Sequence, residues 1–310
     1  MTEGPVNPIP RKQLHPGRQF LILISLFAAV WIGGNIIGIV VVHAKYGQST
    51  LDEISKMNLS GPHASAALWV LQFFSTTLPI LITPIVFSYR FVRDPNDYIK
   101  NHFHFPWTLM AIVFLTMTVA NPMIEYLSNI NGKIDLPRWM TDDEQSIKKM
   151  SDLMMAMPNF SSMLYNLLFI GLLTAVVEEI LFRGCFQTVL FNWTKNMHAA
   201  IWITAILFSA FHMEFSGFLP RLLLGLLFGY FTAWSGSIWP AIWGHFVNNG
   251  TIVVLTYLAQ NKMINLNVDE PQMFNNAGYI ISFVITLLLL LYYRYISVKW
   301  QTVHHGEELD

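Results

Sequence analysis

Apolar residues run along the chain in eight stretches of about 17 to 25 residues, the length at which one helix crosses a hydrocarbon core. They fall near 20–43, 66–89, 106–127, 160–190, 198–213, 217–235, 238–258 and 276–296. The pattern predicts an all-α fold, a polytopic membrane bundle of about eight transmembrane helices. The connections after the fifth and sixth stretches, "MEFSGF" and "WSGSIWP", are tight, which makes helices five to seven antiparallel near neighbours. In the sixth, Gly225 and Gly229 form a small-xxx-small pair. Such a pair either admits a second backbone or faces lipid without consequence.

A different pattern separates the third and fourth stretches. In "TDDEQSIKKMSDLMMAM", Thr141 and Glu144 stand at capping-box spacing, and Ile147, Met150, Met154 and Met157 recur at helical period on one face. This predicts an amphipathic helix lying at the membrane interface before the fourth span. Such a helix covers a substrate entrance or serves as a packed linker, and the linker is the simpler reading.

Composition agrees with the spans. The chain is 54% hydrophobic and only 12% charged, against about 25% charged in soluble domains. Eighteen Lys and Arg face nineteen Asp and Glu, so no basic face calls for nucleic acid. The sole cysteine, Cys185, can form neither an internal disulfide nor a cysteine-type zinc site. Arg11, Lys12 and Arg18 precede an apolar run from Phe20 to about Ala44, too long for a signal peptide and expected to stay as the first span. The chain reads as one integral membrane domain, 1–310, with cytoplasmic tails at 1–18 and 298–310.

Lysine and arginine bias sets the expected orientation. With the N-terminus inside, the inner segments hold nine: Arg11, Lys12, Arg18, Arg90, Arg93, Lys100, Lys195, Arg294 and Lys299. The outer ones hold eight: Lys45, Lys56, Lys133, Arg138, Lys148, Lys149, Arg221 and Lys262. The first helix and the loop between the second and third weigh most, and both favour cytoplasmic termini in a plasma (inner) membrane.

Against this apolar background, "LLTAVVEEILFRGCF" places Glu178, Glu179 and Arg183 inside the fourth span. Ionisable groups at membrane depth cost about 2.5 to 3.5 kcal/mol each on insertion scales, which makes them candidates for function. Of ten histidines, two lie within expected spans, His212 in "FSAFHMEF" and His245 in "WGHFVNNG". At ~1.5 Å per residue, Glu178 stands about 19 Å, His212 about 20 Å, His245 about 10 Å and Asn249 about 16 Å from one membrane face. The four polar side chains, on three helices, therefore share one layer.

Helical spacing divides their tasks. Glu179 and Arg183 are four apart and can pair, while Glu178 is turned by roughly 100° and is the freer carboxylate. His245 and Asn249, also four apart, can address one spot, and Phe208 lies one turn before His212 and can wall its ring. Burial strengthens a carboxylate as a base. Glu178 with His212 can then deprotonate a water aimed at a peptide carbonyl, and His245 with Asn249 can stabilise the oxyanion. The same groups would also serve a proton- or ion-coupled transporter. No inverted repeat or matching pair of broken helices supports that alternative, since Pro79, Pro84 and Pro122 do not recur in corresponding halves.

"EEILFR" at 178–183, "FSAFH" at 208–212 and "HFVNN" at 245–249 resemble, in order and on separate spans, the EExxxR, FxxxH and HxxxN motifs of the CPBP family, also called the Abi or type II CAAX endopeptidase family. The likeness covers roughly 160–255, the catalytic core it implies, and is strengthened by "GSIWPAIWGH" leading into His245. It implies an intramembrane endopeptidase of the Ras-converting type, cutting a membrane-associated protein or peptide near its C-terminus. In that scheme Glu178 is the base, His212 orients the water, His245 and Asn249 serve the oxyanion, and Glu179 and Arg183 hold the first motif in shape. Glu178, His212 and His245 could alternatively ligate a divalent metal such as zinc. The lack of HExxH and an asparagine in fourth place favour metal-free water. Some bacterial relatives are associated with immunity, so a non-catalytic peptide-binding protein is a further alternative. The C-terminal "HHGEELD" carries no CAAX cysteine.

Overall fold

The computed structural model describes residues 14–265 and 274–306. Arg11, Lys12 and the ends of both expected tails lie outside them, as do the side chains of His304 and His305. All regular structure among the described residues is helical: α1 Pro16–Tyr46, α2 Gln48–Ser55, α3 Ala64–Phe91, α4 Pro95–Tyr98, α5 Thr108–Asn131, α6 Arg138–Met154, α7 Phe160–Thr194, α8 Met197–Phe211, α9 Phe218–Ser235, α10 Trp239–Gln260 and α11 Asn276–Gly306. The eight expected spans correspond to α1, α3, α5 and α7 to α11. Six helices among the described residues are long and apolar enough to cross a membrane, and the exceptions are α8 and α10. α8 has 15 residues, and α10 is diluted by His245, Asn248 and Asn249. The protein is an integral membrane protein, and side chains such as Ile36 and Val40 on α1 stand open to lipid.

Two helices widen locally into π-type turns. In α3 the wide turn is Phe73–Thr77, just before Pro79, which lacks the N–H that an α-helical turn would direct at the carbonyl of Ser75. In α7 there are two, Leu167–Leu173 and Ile180–Gln187. At each a threonine hydroxyl takes a carbonyl five residues back: Thr174 Oγ1 to Phe169 O at 3.0 Å and Thr188 Oγ1 to Arg183 O at 3.3 Å. Glu178 and Glu179 close the regular stretch between the two turns of α7.

α7 runs through the middle of the bundle, packed on α3, α8, α9 and α10. One apolar cluster, with Leu23, Phe87, Val177, Phe182 and Phe208, joins α1, α3, α7 and α8. Another, with Val113, Leu227, Phe228, Phe231 and Tyr293, joins α5, α9, α10 and α11. The Gly225–Gly229 pair faces protein. A Cβ on Gly225 would stand 2.9 Å from Ala205 Cβ and 3.0 Å from Ala205 Cα, and one on Gly229 would stand 2.8 Å from Ile201 Cγ2. α8 and α9 can come this close only because neither position carries a side chain.

Three expectations are corrected. α6 starts at Arg138 after Pro137, whose fixed φ suits a helix start, so Thr141 and Glu144 form no capping box. Thr141 Oγ1 donates to Arg138 O at 2.8 Å instead. Met157 lies beyond α6, buried with Val253 and Tyr257 of α10, while Met150 and Met154 pack on the cluster of Val42, Ile54 and Leu68. α8 ends at Phe211, and Met213 turns left-handed at φ 54°, so His212 sits at the helix end rather than within the span. α11 continues to Gly306, so the described part of the stretch expected as a tail is helical.

Placing a methyl-bearing carbon against the Ala205 backbone should be felt globally. Gly225→Val is expected to destabilise by about 1–3 kcal/mol, whereas Gly33→Ala, with nothing within 4 Å of the added carbon, should not. Thermal unfolding of both variants in detergent measures the difference.

Candidate active site

The first motif is built around a buried cation. Arg183 is fully buried, as is Glu179, and its Nη1 donates to Glu179 Oε1 at 2.8 Å. Its Nη2 donates to the Gly225 carbonyl at 3.0 Å. The guanidinium lies over Phe208, 4.5 Å from the ring centre, with Phe228 at 5.3 Å, so an aromatic from each of the two apolar clusters covers it. One turn on, Gln187 Nε2 repeats the contact, donating to the Gly229 carbonyl at 3.1 Å. The glycines thus offer their carbonyls to α7 while admitting α8.

Glu179 also reaches α10. The same Oε1 stands 2.8 Å from His245 Nδ1, and His245 stacks on Phe228 with ring centres 4.9 Å apart and planes at 16°. Helical spacing pairs Glu179 with Arg183 alone. The structure adds His245, so this carboxylate orients an imidazole in the way outer carboxylates orient histidines in polar sites. Nothing in the spacing of separate motifs pointed to this contact.

With Nδ1 held, Nε2 of His245 points to the second carboxylate, 3.9 Å from Glu178 Oε2. The 100° offset between Glu178 and Glu179 sets them on opposite sides of one imidazole. His212 arrives from α8. Its Nδ1 is 2.8 Å from the Phe208 carbonyl, a contact in which the ring donates, and its Nε2 is 4.0 Å from Glu178 Oε2. Phe208 walls this ring as expected, with centres 5.0 Å apart. Glu178 Oε2 is buried and makes no hydrogen bond of its own. Glu178, His212 and His245 therefore converge.

Asn249 is engaged elsewhere. Its Nδ2 donates to the Ile170 carbonyl at 3.2 Å, within the first wide turn of α7, and its Oδ1 accepts from Asn248 Nδ2 at 3.1 Å. The wide turn displaces that carbonyl from the ordinary ladder, and an α10 amide meets it.

The fit to a metal is poor. Among the described residues no group of three or more His, Cys, Asp or Glu side chains is arranged to hold an ion. Oε2 of Glu178 is 4.0 and 3.9 Å from the two imidazole nitrogens, whereas two ligands of tetrahedral zinc stand about 3.3 Å apart. The wider spacing suits one water donating hydrogen bonds to Glu178 Oε2 and His212 Nε2.

These three helices fall in a stretch with known relatives. Residues 160–251 match the family model described as type II CAAX prenyl endopeptidase Rce1-like. The likeness is confined to the motif-bearing part of the chain. The chain is also similar to the uncharacterized protein YpbD of Bacillus subtilis (strain 168), at 28% identity over 177 residues, which are 56% of this chain and 82% of that protein. No solved structure is a significant match. The Rce1-like segment begins with α7 and ends within α10, so it contains every side chain of the constellation.

Arg183 should prove indispensable to folding. Arg183→Met leaves Glu179 with one partner in a dry place and is expected to cost about 3–5 kcal/mol. Glu179→Gln combined with Arg183→Met should recover part of the loss, as unfolding midpoints of the single and double variants will show.

Proposed function

We propose that the protein is an intramembrane endopeptidase of the CAAX-processing type, cleaving a membrane-associated protein or peptide near its C-terminus. The observation that carries the reading is the convergence of two imidazole Nε2 atoms on the unpartnered, buried Oε2 of Glu178. A water bridging Glu178 and His212 is deprotonated by Glu178 as it attacks the peptide carbonyl, and the same carboxyl returns the proton to the departing amine. His212, with Nδ1–H committed to the Phe208 carbonyl, offers its Nε2 lone pair to the water and so aims it. His245, held at Nδ1 by Glu179, turns its Nε2 edge toward the oxyanion. Asn249 joins it by turning from the Ile170 carbonyl when substrate binds. We place both termini on the cytoplasmic side of the plasma membrane.

Glu178→Gln keeps the shape of the site and removes the base. Turnover is expected to fall by about 10²–10⁴-fold while peptide binding persists, since the group acts in the transition state. C-terminal peptides of membrane proteins, compared between cells expressing the native chain and the variant at equal abundance, check this. Defined fragments confined to the native chain support the endopeptidase. Identical profiles favour an ion relay or a binding protein.

A further inference from the structure

The segment 212–217, between α8 and α9, carries His212 and lies outside both α-helices, with a single 3-10 turn at Phe215–Gly217. His212 follows the last helical residue, its N–H reaches Ser209 O at a long 3.3 Å, and Met213 turns left-handed. Its position rests on contacts from elsewhere. Asn131 at the end of α5 supplies two: Nδ2 donates to Phe215 O at 2.6 Å, and Oδ1 accepts from Leu219 N at 2.8 Å. Ser209 Oγ donates to Phe218 O at 2.7 Å. Arg221 of α9 bonds the Glu214 carbonyl at 3.0 Å and pairs with its carboxylate, and a further tether comes from the interfacial helix α6, where Glu144 Oε1 accepts the Ser216 N–H at 2.8 Å, beside an edge contact of Trp139 on Phe215.

Asn131 and Ser209 are buried members of the bundle, but α6 has no buried residue. Its other end rests Met150, Leu153 and Met154 on the α2–α3 cluster. α6 therefore straps two parts of the bundle together, and Glu144 is where the strap meets the turn bearing His212. Ser216 lies just ahead of α9, where backbone N–H groups have no helical acceptor and the dipole favours a carboxylate. The bond is thus well suited to fix the turn.

We propose that Glu144 is a positioning residue for His212, acting through the Ser216 amide and the 212–217 turn, and that α6 thereby couples the interfacial surface to the site. The inference rests on the endopeptidase reading for its effect on turnover, but its structural part does not. The gap from His212 Nε2 to Glu178 Oε2, 4.0 Å, admits one bridging water. A shift of about 1 Å at such a site costs on the order of a hundredfold in rate.

The test uses the full chain in detergent micelles with labelled histidine, the His212 resonance being assigned by its loss in His212→Gln. Glu144→Ala should shift the His212 imidazole resonances, leave those of His245 in place, and lower the kcat of Glu178-dependent cleavage about ten- to hundredfold with KM little changed. Glu144→Gln keeps an acceptor oxygen and should restore both. An unmoved His212 resonance in Glu144→Ala overturns the proposal whatever happens to activity. So does a Glu144→Gln variant that shifts the resonance as far as alanine does. Cleavage that survives Glu178→Gln would instead sink the endopeptidase reading, and the His212 shift would still report whether Glu144 sets the turn.

Discussion

A guanidinium with no access to water is the constraint around which this bundle is arranged. Arg183 needs acceptors and a counter-charge, and each comes from a different place: Glu179 on its own helix, the Gly225 carbonyl on α9, the rings of Phe208 on α8 and Phe228 on α9. Satisfying it fixes the rotation of three helices at once. Glu179, drawn to one side by Arg183, has an oxygen that also meets His245 on α10, which brings in a fourth. The position of the freer carboxylate follows from these contacts, because Glu178 is the next residue along the same helix. A buried pair of this kind contributes little net stability. Its consequence here is geometric, in that it leaves few other ways to pack α7 to α10.

Gly225 shows how closely packing and polarity are tied. A helix carbonyl is ordinarily used within the helix and sterically covered by neighbouring side chains. Without a Cβ at 225 the backbone of α9 lies against Ala205 of α8, and the same carbonyl is open to Arg183 of α7. Gly229 and Gln187 repeat the arrangement one turn further on. A glycine pair that the sequence could assign equally to lipid is thereby given to a three-helix junction.

Much of this was legible because the informative patterns are periodic. Apolar stretches located the long helices, six of them apolar enough to cross a membrane among the described residues, and a spacing of four paired Glu179 with Arg183. What escaped depended on contacts between segments far apart in sequence. Thr141 and Glu144 have the spacing of a local cap, yet Pro137 starts the helix one turn earlier and Glu144 is taken by Ser216, 72 residues away. Asn249 shares a face with His245, but the wide turn at Leu167–Leu173 offers it the Ile170 carbonyl, and no residue pattern announces that turn. The bond from Glu179 to His245 spans 66 positions and joins two motifs that were read separately.

The two helices that fall short of an ordinary span are the two that deliver the imidazoles, and the coincidence has a physical basis. At ~1.5 Å per residue α8 is about 22 Å long, against a hydrocarbon core of about 30 Å. A helix of that length falls short of the full core, and a turn at its end within the bilayer would strand its backbone groups unless protein supplied partners. The turn is tolerated because protein supplies its partners: Asn131, Glu144 and Ser209 take up its N–H and C=O groups, and Arg221 pairs with Glu214 and bonds its carbonyl. α10 makes the complementary concession. Its hydropathy is lowered by polar residues directed into the bundle rather than at lipid, with His245 buried between Glu179 and Phe228. A cluster of ionisable side chains within a bilayer needs both features, a helix that ends early and a polar helix screened from lipid. The hydrogen bonds that make the early ending tolerable are also the ones that hold His212 toward Glu178.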